Sequence, residues 1–237
     1  SDIYERINTR DDVDDDYNEE VSEYDDDCSD EELLEEVGKG ISSVFENSGD
    51  RFIPRFMEHT NTVNKFLCDE NPILKRFAIQ VICDLIKYGG NETFKLHELF
   101  LNPVGEALSS SDSKVREIAS RCVGLCAQSP SSSDYSTFCL ACIPILTQMT
   151  SIPDSRAPDN IDATEFMCST LALIIQFYGD RISDVNDLIS TWITLFPVCQ
   201  NEEAARIAYT FLSQIINQHH PLVSTKVSQI VLSLIHI

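Results

Sequence analysis

The stretch "DSKVREIASRCVG", residues 112–124, decides the fold. Asp112 offers a side-chain oxygen to the orphan amides at a helix start. Val115, Ala119 and Val123 recur every four residues, which draws one apolar stripe along an α-helix. Ala119 and Gly124 are small, so a neighbouring helix can come close. Arg116 is placed to bridge to a turn acid of the adjacent unit, such as Asp69 or Asp159, as one rung of a ladder along a stack.

The same periodicity runs through nearly everything after residue 30. Leu33, Val37, Ile41, Val44 and Phe45 mark one stripe, and Ile73, Phe77, Val81 and Leu85 a second. Met167, Leu171, Ile174, Ile175 and Tyr178 mark a third, and Ala204, Ile207, Ala208, Phe211, Leu212, Ile215 and Ile216 a fourth. No period-2 run competes, and Asn-Gly or Asp-Gly hairpin turns are absent. Asn71-Pro72, Asp112, Asp162 and Asn201 are expected helix starts. Gly49, Gly89-Gly90 and Gly179 are expected helix ends. Residues 151–160, with two prolines, are expected to be a loop.

The helices alternate in kind. One kind carries a proline in an apolar setting: "RFIPRFM", "FLNPVGEAL", "CIPILTQM". The other opens on a polar residue and carries a long apolar stripe: 71–88, 112–127, 161–178 and 201–218. A two-helix unit that recurs every 40–50 residues or so is the signature of a HEAT or armadillo solenoid. The expected fold is therefore all-α, a HEAT-repeat solenoid of stacked antiparallel helix pairs. It should occupy 31–237 in about five repeats, the last cut short, after an acidic leader over 1–30. The chain starts without Met and stops at "KVSQIVLSLIHI", an apolar helical pattern with no cap, so more protein is expected on both sides.

Charge is concentrated at the front. The net charge is −22, yet residues 37–237 carry only −6 of it. The segment "DDVDDDYNEEVSEYDDDCSDEE", 11–32, contains no Lys or Arg. Such acidity argues against direct contact with nucleic-acid phosphates and favours Lys/Arg-rich protein partners. Asp11, Asp12, Asp14, Asp15, Asp16, Glu19, Glu20, Asp25, Asp26 and Asp27 are candidate contacts for such a partner; the other reading is a run that keeps the chain soluble. Val13, Tyr17, Val21 and Tyr24 are spaced so that part of the run can form a helix resting on the stack.

Chemistry is not apparent. The nine cysteines are odd in number and mostly set in apolar stretches, which suits reduced core thiols of a cytosolic or nuclear protein. Cys139-Leu-Ala-Cys142 lacks a second pair or a nearby His, so it reads as core and not as a metal site. His219-His220 are adjacent on a helix end and point about 100° apart, a poor metal pair. There is no G-x-S-x-G, H-E-x-x-H, Walker A or G-x-G-x-x-G motif, so no enzyme, cofactor or metal is expected. The acid run lacks the glycine and glutamate spacing of a calcium loop. The two longest uncharged stretches, 135–153 and 207–225, are too polar to span a membrane.

These residues resemble a known family. The D-x-x-V-R helix at 112–124, the Ala163-Thr164-Glu165 start of a later second helix, and Trp192, Leu195 and Pro197 at the close of a first helix follow in family order. Glu202-Glu203-Ala204, Phe211-Leu212, Ile215-Ile216 and His220-Pro221 match the next helix and turn. Over essentially the whole chain the pattern is similar to the C-terminal HEAT repeats of the β-karyopherins (importin-β family), in the branch that carries ribosomal proteins and histones. Phe196 departs from that pattern, which has Leu directly before Pro. The resemblance implies a nuclear import receptor that shuttles between cytoplasm and nucleus. It implies basic cargo on the concave face and Phe-Gly nucleoporins between first helices on the convex face. Ran GTPase would be bound through N-terminal repeats outside this chain. Glu165, Glu202 and Glu203 near second-helix starts are further candidate contacts for basic cargo, unless they only favour their helix dipoles. Trp192 is expected to be core. A HEAT scaffold or adaptor outside transport is the competing class.

Overall fold

The computed structural model describes residues 30–129, 132–222, 226, 228 and 231. The acidic leader to residue 29 lies outside them. So do Asp11 to Asp27 and Cys28.

Among the described residues the secondary structure is helical throughout. Helix α1 is Asp30–Ser48. The first proline segment then breaks into a 3-10 turn Gly49–Phe52, a single α-turn Ile53–Phe56 and a second 3-10 turn Met57–His59. Pro54 therefore sits in the first turn of a short piece, where its missing N–H costs nothing. Helix α2 follows as Thr60–Leu67, then α3 as Pro72–Tyr88, α4 as His97–Ala107 and α5 as Ser113–Gln128. Helix α6 is Ser132–Thr150, α7 Ile161–Tyr178, α8 Val185–Ile193 and α9 Glu202–Asn217. Pro103 and Pro144 do lie inside α4 and α6.

Two layers result. Helices α1, α3, α5, α7 and α9 pack side by side in chain order. Helices α2, α4, α6 and α8 pack behind them, each against a member of the first row. The expected second helices thus form one continuous layer, as a solenoid of helix pairs requires.

Caps set the boundaries. Asn71, Asp112 and Asn201 each accept a first-turn amide proton, at 2.9 Å from Ile73, 2.8 Å from Val115 and 3.1 Å from Ala204. Asp162 is not the cap of α7; Asn160 holds that position without a capping bond. Its Oδ1 is engaged elsewhere, by Arg116. Gly89 and Gly179 follow α3 and α7, and Gly49 (φ +56°) uses the left-handed region that glycine tolerates.

Small residues bring α5 and α7 together. A Cβ on Gly124 would stand 3.1 Å from Leu173 and 3.3 Å from the Thr170 hydroxyl. Thr170 donates to the Ser120 carbonyl at 2.8 Å, across the same contact. Trp192 is fully buried, donates from Nε1 to the Cys168 carbonyl at 2.9 Å, and meets Phe211 edge-on at 5.1 Å, tying α8 to α7 and α9. Cys139 and Cys142 are buried, and burial pushes both thiols up to about 12. Cys199 and Cys68 are exposed. The stripe expected on α1 splits: Phe45 is buried while Val37 and Val44 remain 41% exposed, and Leu34 is buried in place of Leu33. No helix of the described residues is long and apolar enough to cross a membrane.

Candidate interaction face

Among the described residues, Arg116, Glu165, Glu202 and Glu203 lie near the starts of α5, α7 and α9, in the layer of second helices (the second layer below), and the polar side chains of that layer fall into two groups. The first group holds the stack together. Arg116 is buried, and burial lowers its guanidinium pKa, with Asp112 acting in the opposite direction. It donates to the carbonyls of Ser110 and Ser111 at 2.7 and 2.9 Å, and to the side-chain oxygen of Asn160 in the next unit. The rung is therefore real, but its partner is a neutral amide and two carbonyls. Neither Asp69 nor Asp159 accepts it. A buried guanidinium needs acceptors for its fork of donors more than it needs a counter-charge.

Glu165 also belongs to this group. Only 1% of its surface is exposed. Its carboxylate accepts three successive backbone amides, from Cys199, Gln200 and Asn201, at 2.8, 2.9 and 2.7 Å. Asn201 in turn caps α9. Glu165 is thus a latch that fixes the turn between α8 and α9, and its oxygens are not open to a partner. This corrects its expected role as a cargo contact.

The second group faces outward along the second layer. Two adjoining cavities of about 610 and 490 Å³ share Glu31, Arg76, Lys114 and Glu117. The carboxylates lining them are Glu31, Glu35, Glu46, Asp112, Glu117, Asp159 and Asp162, against the cations Lys39, Arg76 and Lys114. Seven to three, the groove is a negative surface with apolar walls from Leu34, Ile73, Phe77 and Ile118. Arg76 is bound to Glu31 at 2.7 Å. Glu117 is half-buried, and its pKa is raised first by that burial and then by the nearby Asp162; Arg121, Lys114 and Arg76 offset this only in part. Farther along, Glu203 is paired to Arg121 at 2.9 Å, and Glu202 is exposed.

On the opposite layer a narrow apolar cleft opens between α2 and α4. Phe56, Val63, Leu67, Leu85, Leu96, Leu99 and Phe100 line it. Leu99 is 45% exposed at its mouth, with Met57 51% exposed on the neighbouring turn.

Comparison with known proteins then gives these faces a context. The family model of importin repeat 6 matches residues 1–69, and a further importin repeat model matches residues 201–236. Importin subunit beta-3 of Saccharomyces cerevisiae is 35% identical over 223 residues, 94% of this chain. The chain belongs to the importin-β family. Solved structures of Kap121p share its fold: one of a variant has a TM-score of 0.79 at 32% identity, and the unmodified protein 0.78 at 31%, each over 98% of this chain. The chain spans about one fifth of the length of these relatives. Importin repeat 6 includes residues 1–29, so the acid-rich segment falls within a recognised importin unit.

Of the contacts expected from sequence, Glu202 and Glu203 lie in the first turn of α9, outside the two larger cavities, and Glu165 is buried. The leader acids stand outside the described residues. Glu31, Glu117 and Asp162 were not singled out as contacts. The available signal was Lys114, Glu117 and Arg121 at spacings of three and four, on the side of the 113–128 helix away from the Val115 stripe.

Proposed function

We propose that this chain is part of a nuclear import receptor and that its second-layer groove holds basic segments of cargo. The reading rests on the groove spanning α1, α3, α5 and α7, where carboxylates outnumber cations and Glu117 and Asp162 crowd each other. A Lys or Arg side chain placed there relieves like-charge repulsion and gains attraction at once. Kap121p has been solved bound to Ste12p, to Pho4p, to Nup53p and to RanGTP. Carried to this chain, those complexes support a receptor that meets cargo, a nucleoporin and Ran. The apolar α2–α4 cleft, with Leu99 exposed at its mouth, is the candidate contact for a Phe-Gly motif. Ran contact belongs to repeats outside the chain. In this reading the protein shuttles between cytoplasm and nucleus and catalyses nothing.

The acidic leader enters at the groove. Helix α1 begins at Asp30, and Glu31 at its first turn lines both cavities. In this reading the leader, an inter-helix insertion or a partly disordered segment, adds long-range attraction at the rim of the negative surface. A fluorescent Lys/Arg-rich peptide tests this by anisotropy from about 0.05 to about 0.5 M salt, across which the screening length falls severalfold. Affinity should fall steeply with salt, and deleting 11–27 should weaken binding at low salt while leaving thermal unfolding of 37–237 nearly unchanged. Salt-independent binding would refute the electrostatic reading, and a full-length parent that fails to retain Phe-Gly nucleoporin in a pull-down would refute the transport reading.

A further inference from the structure

Apart from the two larger cavities, and sharing no lining residue with them, a small pocket of about 30 Å³ lies between α5, α7 and α9. One side chain crosses that place. Arg121 leaves α5, passes over α7 and pairs with Glu203 on α9 at 2.9 Å, skipping a helix. On its way its guanidinium lies over the buried Phe166 ring, 6.0 Å from the centroid. Both charged partners remain about 40% exposed. An aromatic face beneath a guanidinium, with a carboxylate at its edge, is the environment in which arginine outperforms lysine: the planar ion stacks, and its fork reaches the carboxylate.

We propose that Phe166 and Glu203 form an arginine seat and that Arg121 is its displaceable resident. The inference rests on the cargo reading above. An arginine of a bound basic segment takes the same two contacts when Arg121 swings into solvent, and a lysine, with a compact strongly hydrated charge, exchanges poorly. Arg121 is thus a specificity-determining residue: it sets the threshold an incoming cation must exceed and biases the face toward arginine. Among the described residues the cation–ring contacts are Lys87 over Tyr88 and Arg121 over Phe166, so the Arg76–Glu31 pair of the larger cavities lacks this geometry.

Anisotropy with two peptides of equal length and charge, one of arginines and one of lysines, tests this on the whole 237-residue chain. The chains compared are the unmodified protein, Arg121→Ala, Lys114→Ala as a charge-matched control on the same helix, and Arg121→Ala with Glu203→Gln. Vacating the seat should tighten the arginine peptide about tenfold, since a half-exposed ion pair and a ring contact together are worth roughly that. The lysine peptide should gain about twofold, as should both peptides with Lys114→Ala, where only one repelling charge is lost. Adding Glu203→Gln should abolish the arginine gain. Losing the same pair and ring contact should lower the melting point of Arg121→Ala by about 3–5 °C while unfolding stays cooperative. If Arg121→Ala and Lys114→Ala behave alike, or if the gain survives Glu203→Gln, the seat is refuted while the cargo reading stands. Absence of binding by every chain would overturn both.

Discussion

Replacing Glu165 by alanine isolates a device that sequence alone placed at the wrong task. The carboxylate accepts amides at 2.8, 2.9 and 2.7 Å from three consecutive residues and is 1% exposed. A charge-assisted hydrogen bond contributes roughly 1.5–3 kcal/mol. The three donors lie at a half-buried turn, where water replaces part of what is lost, so Glu165→Ala should cost about 3 kcal/mol in total. For a chain of this size that corresponds to a melting point lower by about 6–12 °C. Glu165→Gln keeps one carbonyl oxygen, enough for the pair of amides from Gln200 and Asn201, and should cost about half as much. Glu202→Gln, an exposed change one helix away, should stay within about 0.5 kcal/mol of the parent. Calorimetry gives the global effect. Hydrogen exchange locates it: amides of Cys199–Asn201 and the first turn of α9 should exchange faster, while α3 and α5 remain protected, because a stack communicates mainly between neighbours. If Glu165→Ala melts within about 1 °C of the parent, or if exchange at 199–201 is unchanged, the latch does not contribute in this way.

Two other outcomes follow from the same geometry. Arg116→Ala removes donors from three acceptors and should cost about 3 kcal/mol in denaturant unfolding, with Arg116→Lys intermediate; equal costs for the two would show that the fork is irrelevant. Glu117 has its pKa raised in the fold, so between the ordinary carboxylate value and the raised one the folded chain holds more protons than the unfolded chain, and stability falls as pH rises through that window. Glu117→Gln should remove that part of the pH slope and raise the melting point at neutral pH; an unchanged profile would mean that burial and Asp162 do not act on it.

Helices and caps were legible because both are local. The stripes at 73–85, 167–178 and 204–216 need only their own spacing, and Asn71, Asp112 and Asn201 need only the three residues after them. The partners across units were not legible. Which group of the 151–160 loop meets Arg116 depends on how that loop folds, and the fold presents Asn160 while Asp159 points into the groove lining. Glu165 reads as a first-turn acid until the segment 199–201 folds back over it from 34 to 36 residues away. Val37 and Val44 fit the stripe of α1 as well as Ile41 and Phe45 do; only the position of α3 decides which side is covered.

The two groups of carboxylates differ in what remains for a partner. Glu165 has spent both oxygens on amides, Asp112 caps a helix, Glu31 is held by Arg76, and Glu203 is held by Arg121. Each already has a donor, so a new cation gains there only by displacing one. Glu117 and Asp162 are in the opposite state, with Asp162 raising the Glu117 pKa while nearby cations lower it too little. An incoming ammonium or guanidinium therefore gains most between these two on first contact, where it removes a repulsion as well as adding an attraction. Toward α9 lie Glu202, exposed, and Glu203, which is reached only by moving Arg121. A basic segment should thus engage in order, first at Glu117 and Asp162 by net charge and then at Phe166 and Glu203 by shape. The first step is indifferent to the kind of cation, while the second discriminates arginine from lysine; both weaken with salt, since the Arg121–Glu203 pair is itself about 40% exposed. Affinity and specificity along this face are thereby assigned to different places on neighbouring helices.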